Sequence, residues 1–154
     1  MHDIKALRSL ALVGGIIGIL FLISLFFSNT SWSIPFFGTY GGKKCTATLI
    51  AVHLEKKQAR IPDGELRELA KTIYEASRSY GVDYRLVLAV MEAESNFRQD
   101  VISNKGAIGI MQVKNIVARE FSPQVGIFYN KNVLHCPHAN VRFGVYYLSW
   151  LGKH

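Results

Sequence analysis

Acidic residues are scarce in this chain of 154 residues. It contains 11 Asp and Glu against 18 Lys and Arg, which gives a formal net charge of +7. We therefore expect an anionic partner, such as lipid head groups, an acidic cell-wall polymer or nucleic acid. The sequence has no zinc-finger, basic-zipper or RNP-like pattern, and its basic residues are scattered, so we expect no nucleic-acid partner. The length suits one domain of ordinary size.

Cysteine is also rare, since the chain has only Cys45 and Cys136. A structural zinc site normally takes four ligands in spaced pairs, and no second cluster accompanies the His-Cys-Pro-His stretch at 135–138. We therefore expect no metal. A disulfide between the two cysteines and two unpaired thiols both remain open, because the sequence does not show how far apart they lie.

Charge is almost absent from one long segment near the amino terminus. The run from Leu7 to Phe27, LRSLALVGGIIGILFLISLFF, has one charged residue, Arg8, and is long enough to span a hydrocarbon core. Lys5 and Arg8 precede the apolar core, and no Lys or Arg follows until Lys43. This bias predicts a cytoplasmic amino terminus and an outward-facing domain. The alternative is a signal peptide that is cleaved off.

These features predict three parts. Residues 1–28 form a membrane anchor or signal sequence, residues 29–61 a juxtamembrane linker, and residues 62–154 the domain. Within the linker, residues 43–60 fit either a strand or a helix, because TATLIAVHL alternates like a strand and LIAVHLEKKQA suits a helix.

Helical signals become clear after residue 62. Asp63 can cap a helix that begins near Gly64, and Gly81 can end it. A second helix is predicted to begin at Asp83 and to end near Asn96. Further along we expect a loop at 98–109, a short helix at 110–120, an irregular segment at 122–137 and a helix at 140–151. The domain is therefore predicted to be mainly α.

The second helix carries two glutamates, Glu92 and Glu94, in the stretch EAESNF. At about 100° per residue they point about 160° apart. Glu94 shares its face with Val87, Val90, Met91 and Phe97, whereas Glu92 falls on the opposite face beside Arg85. There we expect Glu92 to pair with Arg85, a contact that would add little to stability. Burial of a carboxyl group raises its pKa and keeps its proton on, as a general acid requires. A structural glutamate paired with a buried base is the alternative for Glu94.

The stretch GAIGIMQ, from Gly106 to Gln112, offers groups that suit a sugar ligand. Glycines such as Gly109 let the backbone approach a ligand closely. The Gln112 amide can donate and accept hydrogen bonds, and Met111 supplies an adaptable apolar surface. A phosphate-binding loop is excluded, because the stretch lacks the Lys and the Ser or Thr of a P-loop.

Together these residues resemble the soluble lytic transglycosylase (SLT) family, whose domain has a lysozyme-like fold. The resemblance covers about residues 66–151. Its pieces are LVLAVMEAESNF with Glu94 and Ser95, then Ser103, GAIGIMQ against GA-x-G-(L/I)-M-Q, and NVRFGVYYL against N-(I/V)-x-x-G-x-x-Y-L. HCPHAN is similar to a segment of small transglycosylases of secretion and conjugation systems. Those proteins often pair that cysteine with one upstream, which favours a Cys45–Cys136 disulfide.

The resemblance implies an enzyme without a cofactor that cleaves the MurNAc–GlcNAc β-1,4 bond of peptidoglycan. The family's catalytic acid corresponds to Glu94. Ser103 would hold the substrate or orient that carboxyl, and Gln112 and Met111 would line sugar subsites. The implied location is the bacterial inner membrane with the domain in the periplasm, or the periplasm after signal cleavage. A secretion or cell-envelope complex is an implied partner.

Two competing functions follow from the acids and from the carboxyl-terminal end. A water-adding muramidase needs a second carboxylate, which Asp100 or another acid, including those upstream, would supply; only Asp100 and Glu120 follow Glu94. The family usually has a later A-Y-N-x-G segment, and this sequence ends at Leu151-Gly-Lys-His without it. We therefore expect an incomplete far wall of the groove, which also allows a non-catalytic peptidoglycan-binding scaffold.

Overall fold

A computed structural model describes residues 42–62 and 64–153, without the side chains of residues 42–45. The predicted anchor at 7–27 and the predicted cap Asp63 lie outside this part. Among the described residues, no helix is long and apolar enough to cross a membrane. The elements are α1 (Gly42–Lys56), α2 (Leu66–Tyr80), α3 (Tyr84–Ser95), β1 (Ala107–Ile108), β2 (Val113–Lys114), α4 (Asn115–Val125), a 3₁₀ turn (Val133–His135) and α5 (Pro137–Leu151).

The first helix, α1, settles the open choice between strand and helix. Its apolar residues Ile50 and Leu54 are fully buried, and their i, i+4 spacing places them on one face. Through this face α1 packs on α2. The linker prediction for residues 29–61 is therefore corrected from Gly42 onward, because burial of this face makes α1 part of the helical unit rather than a connecting segment.

The carboxyl-terminal end of α2 and both ends of α3 agree with the sequence signals, whereas α2 begins at Leu66, after Glu65, rather than near Gly64. Gly81 ends α2 in the left-handed conformation, with φ 69°, and its N–H donates to the Ser77 carbonyl. Asp83 caps α3 by accepting a hydrogen bond from the Arg85 N–H at 2.8 Å. Asn96, with φ 50°, ends α3 where predicted.

The segment after α3 departs from the prediction of a helix over residues 110–120. β1 and β2 form a short antiparallel hairpin, and residues 109–112 make its turn, with the Gln112 N–H donating to the Gly109 carbonyl. Gly109 and Gln112 have φ of 78° and 49°, which no α-helix accommodates. Helix α4 therefore begins only at Asn115, and it continues to Val125 into the segment that was predicted to be irregular.

Helix α5 is the centre of the domain. It packs on both α2 and α4, and its buried residues lie on most of its sides. They are Ala139, Asn140, Val141, Phe143, Gly144, Val145 and Tyr147. The helix begins at Pro137 rather than at the expected residue 140, because proline suits a first helical turn. The prediction of a mainly α domain is confirmed.

Candidate active site

The Glu94 carboxyl group lies in the last turn of α3 and is partly buried. Val87, Val90, Met91 and Phe97 on the same side are all buried, as predicted. Burial raises the pKa of Glu94. Its Oε1 atom is shielded from solvent and has no hydrogen-bond partner. A carboxyl group in this environment favours its protonated form and can donate that proton.

Glu92 lies on the opposite face, as predicted, but its partner differs from the expected Arg85. The Lys57 Nζ atom lies 2.5 Å from the Glu92 Oε1, and the two side chains are 41% and 42% exposed. Arg85 instead pairs with the helix cap Asp83. The expectation of a Glu92–Arg85 pair was therefore wrong, because the end of α1 brings Lys57 to this face and Asp83 already holds the guanidinium.

A cavity of about 330 Å³ opens between α1 and α3 on the Glu92 face. His53, Arg85 and Glu92 are among its lining residues, and Glu94 is not. The Glu94 carboxyl group, whose pKa is raised, therefore does not line this cavity.

Ser95 ties the end of α3 to the hairpin turn. Its side chain is buried, and its hydroxyl lies 2.8 Å from the Ile110 carbonyl and 3.0 Å from the Met91 carbonyl. The single hydroxyl hydrogen is thus shared between the helix and the turn. Because Ser95 directly follows Glu94, this contact fixes the backbone of the candidate acid against the turn at 109–112.

Asn140, at 0% exposure, holds the same turn from the side of α5. Its Oδ1 accepts from the Met111 N–H at 2.9 Å, and its Nδ2 donates to the carbonyls of Ile108 and Leu134 at 2.8 and 3.0 Å. A buried amide with these three partners fixes the local backbone. The sequence reasoning assigned no role to Asn140. The available signal was its place as the first residue of the motif NVRFGVYYL.

Two glycines allow the turn and α5 to approach closely. A methyl group at Gly109 would lie 2.5 Å from the Asn140 Nδ2 atom, and one at Gly144 would lie 2.6 Å from the Met111 Sδ atom. Both distances are far below van der Waals contact. In the structure, the space beside Gly109 is filled by Asn140.

The other predicted site residues surround the same turn. The Gln112 Nε2 atom donates to the carbonyls of Val101 and Gly109, so both amide hydrogens are in use and its Oε1 remains as the group for a sugar. The Ser103 hydroxyl accepts from the Ala107 N–H at 3.0 Å. Met111 is buried against Gly144. The structure therefore gives each of them a structural role, and their contacts with a substrate stay predictions.

The described residues include only part of the predicted cysteine pair. Cys136 is an exposed free cysteine, whereas the Cys45 side chain lies outside the described residues. The disulfide between them stays a prediction. Within residues 42–62 and 64–153, no group of three or more His, Cys, Asp or Glu could hold a metal ion.

The two acids that follow Glu94 in the sequence are both at the surface. Asp100 and Glu120 are the acids that follow Glu94 in the sequence, and both are exposed. The pKa of Glu94, by contrast, is raised by burial. Of these three acids, Glu94 is therefore the one whose carboxyl group is partly buried beside the turn.

The sequence is similar to known proteins of one family. The family model of the Transglycosylase SLT domain matches residues 71–154. The chain is 30% identical over 114 residues to the membrane-bound lytic murein transglycosylase C of Salmonella arizonae, and 30% and 31% identical over 111 residues to the proteins of the same name from Cronobacter sakazakii and Salmonella typhimurium. These alignments cover 70% of the chain and 29% of each relative. The family resemblance drawn from the sequence motifs is thus confirmed, and the chain belongs to the Transglycosylase SLT domain family.

Proposed function

We propose that this protein is a lytic transglycosylase that cleaves the MurNAc–GlcNAc β-1,4 bond of peptidoglycan, with Glu94 as both acid and base. The observation that carries the proposal is the buried, unpartnered Oε1 of Glu94 together with its raised pKa. Membership of the SLT family and the names of the relatives support the same reaction class.

In the proposed reaction, the protonated Glu94 carboxyl group first donates its proton to the glycosidic oxygen. The bond between that oxygen and C1 of the muramic acid breaks, and the GlcNAc end leaves with a new hydroxyl group. The ionised Glu94 then removes the proton from the C6 hydroxyl, whose oxygen attacks C1. The products are a free GlcNAc end and a 1,6-anhydro-muramic acid end. The proton returns to Glu94 and no water is consumed, so one carboxyl group suffices.

The residues around the hairpin turn would hold the glycan strand in this reaction. Gln112 would offer its Oε1 to a sugar hydroxyl or amide N–H, since its Nε2 already bonds the backbone. Ser103 would contact the substrate or orient the carboxyl group, and Gly109 and Met111 would shape the floor of the subsite. We further propose that the segment at 7–27 anchors the chain in the inner membrane with the domain in the periplasm, where peptidoglycan lies.

The test is the mass of the fragments that the full chain releases from intact peptidoglycan sacculi. We expect fragments that end in anhydro-muramic acid and are lighter by one water than the products of a muramidase. Glu94→Gln removes the acid with little change in shape, and Glu75→Gln, at an exposed position on α2, is the matched control. Hydrated ends would indicate a muramidase instead. Fragments released equally well by Glu94→Gln would overturn the proposal.

A further inference from the structure

The carboxyl-terminal end of α1 supports the turn that follows Glu94. The His53 ring meets the Phe97 ring edge-on, with the centroids 5.9 Å apart and the planes at 72°. Phe97 is fully buried and has φ 57°, and Asn96 before it has φ 50°. A bulky residue rarely adopts this left-handed conformation, which persists only where the surroundings hold it. His53 therefore packs on a strained turn that begins two residues after Glu94.

Two further contacts from the same segment reach residues close to Glu94. Lys57 pairs with Glu92, two residues before it. The backbone of Arg60 forms a parallel bridge with that of Arg98, four residues after it. Together with the His53 contact, these interactions bracket the end of α3 on both sides of Glu94.

We propose that His53, Lys57 and Arg60, the α1 brace, are positioning residues that fix how the Glu94 carboxyl group is presented. They act through Glu92, Phe97 and Arg98, not through the substrate. The brace lies outside residues 71–154, which match the family model. The kinetic consequences below rest on the proposed function, whereas the positioning of the carboxyl group does not.

A positioning role predicts a specific kinetic pattern. If the end of α3 shifts, the carboxyl group is misaligned with the glycosidic oxygen, while the hairpin turn keeps the Asn140 hydrogen bonds that hold it to α5. The loss therefore falls on kcat rather than on KM. A misplacement of about 1 Å can lower a rate by about 100-fold, and loss of one ring contact should cause a smaller shift.

The first experiment compares His53→Ala, His53→Phe and the control Lys56→Ala in the full chain. We expect His53→Ala to lower kcat by about tenfold with KM unchanged within about twofold. His53→Phe retains a ring against Phe97 and should restore most of kcat. Lys56 is an exposed residue of the same helix, so its variant should match the wild type. Equal kcat for all three variants would overturn the role of His53.

The second experiment reverses the charges of the Lys57–Glu92 pair. We expect Lys57→Glu to lower kcat by about three- to fivefold, because like charges then meet across the brace. The double variant that also carries Glu92→Lys restores the attraction and should regain kcat to within about twofold of wild type. A double variant as slow as the single one would contradict the role of this pair.

The third experiment does not depend on activity. NMR titration of the Glu94 carboxyl group in His53→Ala should give a pKa below that of the wild-type chain, because a loosened turn admits solvent. An unchanged pKa in a folded variant would overturn the brace even if the enzyme is active. If the wild-type chain releases no fragments, the proposed function fails, and a shifted pKa would still uphold the brace.

Discussion

Glu92 and Glu94 are chemically identical side chains on one helix, and their surroundings differ. Glu92 is held by a half-exposed lysine on the solvent side. Glu94 points toward the domain interior, where burial raises its pKa and one oxygen lacks a partner. The helical period creates this difference, because two successive steps of about 100° leave the two side chains about 160° apart. The lesson is that the chemistry of a carboxyl group here is set by the face it occupies.

The largest expected effect concerns activity. Glu94→Gln should lower the release of soluble fragments from sacculi by about 10²- to 10⁴-fold, the usual contribution of a general acid. Glu92→Gln should stay within about threefold of the wild type, because an exposed ion pair contributes little. Initial rates of fragment release by all three proteins measure the difference. Comparable losses in the two variants would break the comparison between the faces.

The next effect concerns the buried amide that holds the turn on the Glu94 side. Asn140→Ala removes three hydrogen bonds and leaves buried backbone groups unpaired, so we expect a loss of about 3 kcal/mol or more in the free energy of unfolding. Urea unfolding measures it. The exposed Asn104→Ala is the control and should change stability by less than about 0.5 kcal/mol. A loss below about 1 kcal/mol for Asn140→Ala would show that the turn does not depend on this amide.

A smaller effect separates two glycines that share a left-handed backbone. Gly109 and Gly126 have φ of 78° and 70°, so alanine is strained at both by about 1–2 kcal/mol. Only at Gly109 would the new methyl group also meet Asn140, at 2.5 Å, whereas nothing lies within 4 Å at Gly126. Gly109→Ala should therefore be the less stable variant in thermal unfolding. Equal melting temperatures would mean that the Asn140 side chain can move away from the new methyl group without a loss of stability.

The smallest effect is a pH dependence of stability. Burial raises the folded-state pKa of Glu94 above the unfolded value, so the folded chain binds this proton more tightly. Its ionisation therefore lowers the free energy of unfolding as the pH rises through the folded-state pKa. Glu94→Gln cannot ionise, so its stability should match the wild type below the unfolded pKa and exceed it by an amount that grows up to the folded-state pKa. Unfolding curves across this range test the sign, and a variant that is less stable at neutral pH would refute it.

The sequence was most informative where the signals are local. Gly81, Asp83 and Asn96 end or begin helices through their own backbone or side chain, and all three were placed correctly. The separation of Glu92 from Glu94 needed only the helical period. The family motifs likewise lie in short stretches, and they were sufficient to predict the SLT family.

The parts that the sequence did not predict depend on distant contacts. The turn at 109–112 looked like the start of a helix, but Asn140 and Ser95 bind its backbone from two other helices. The Lys57 partner of Glu92 lies 35 residues away. Met111 and Gln112 looked like sugar-binding groups, and the structure also gives them packing and backbone contacts that no spacing rule reveals.

The contact between Gly144 and Met111 has a mechanical consequence. The Met111 thioether fills the place where a side chain at position 144 would stand. Helix α5 and the hairpin are therefore in direct contact at this point. Close-packed surfaces transmit displacement instead of absorbing it. A push on α5 would thus travel through Met111 to its neighbour Ile110, and on to the Ser95 hydroxyl. Because Gly144 has no side chain, α5 packs directly on Met111, and this contact couples α5 to the end of α3 through Ile110 and Ser95.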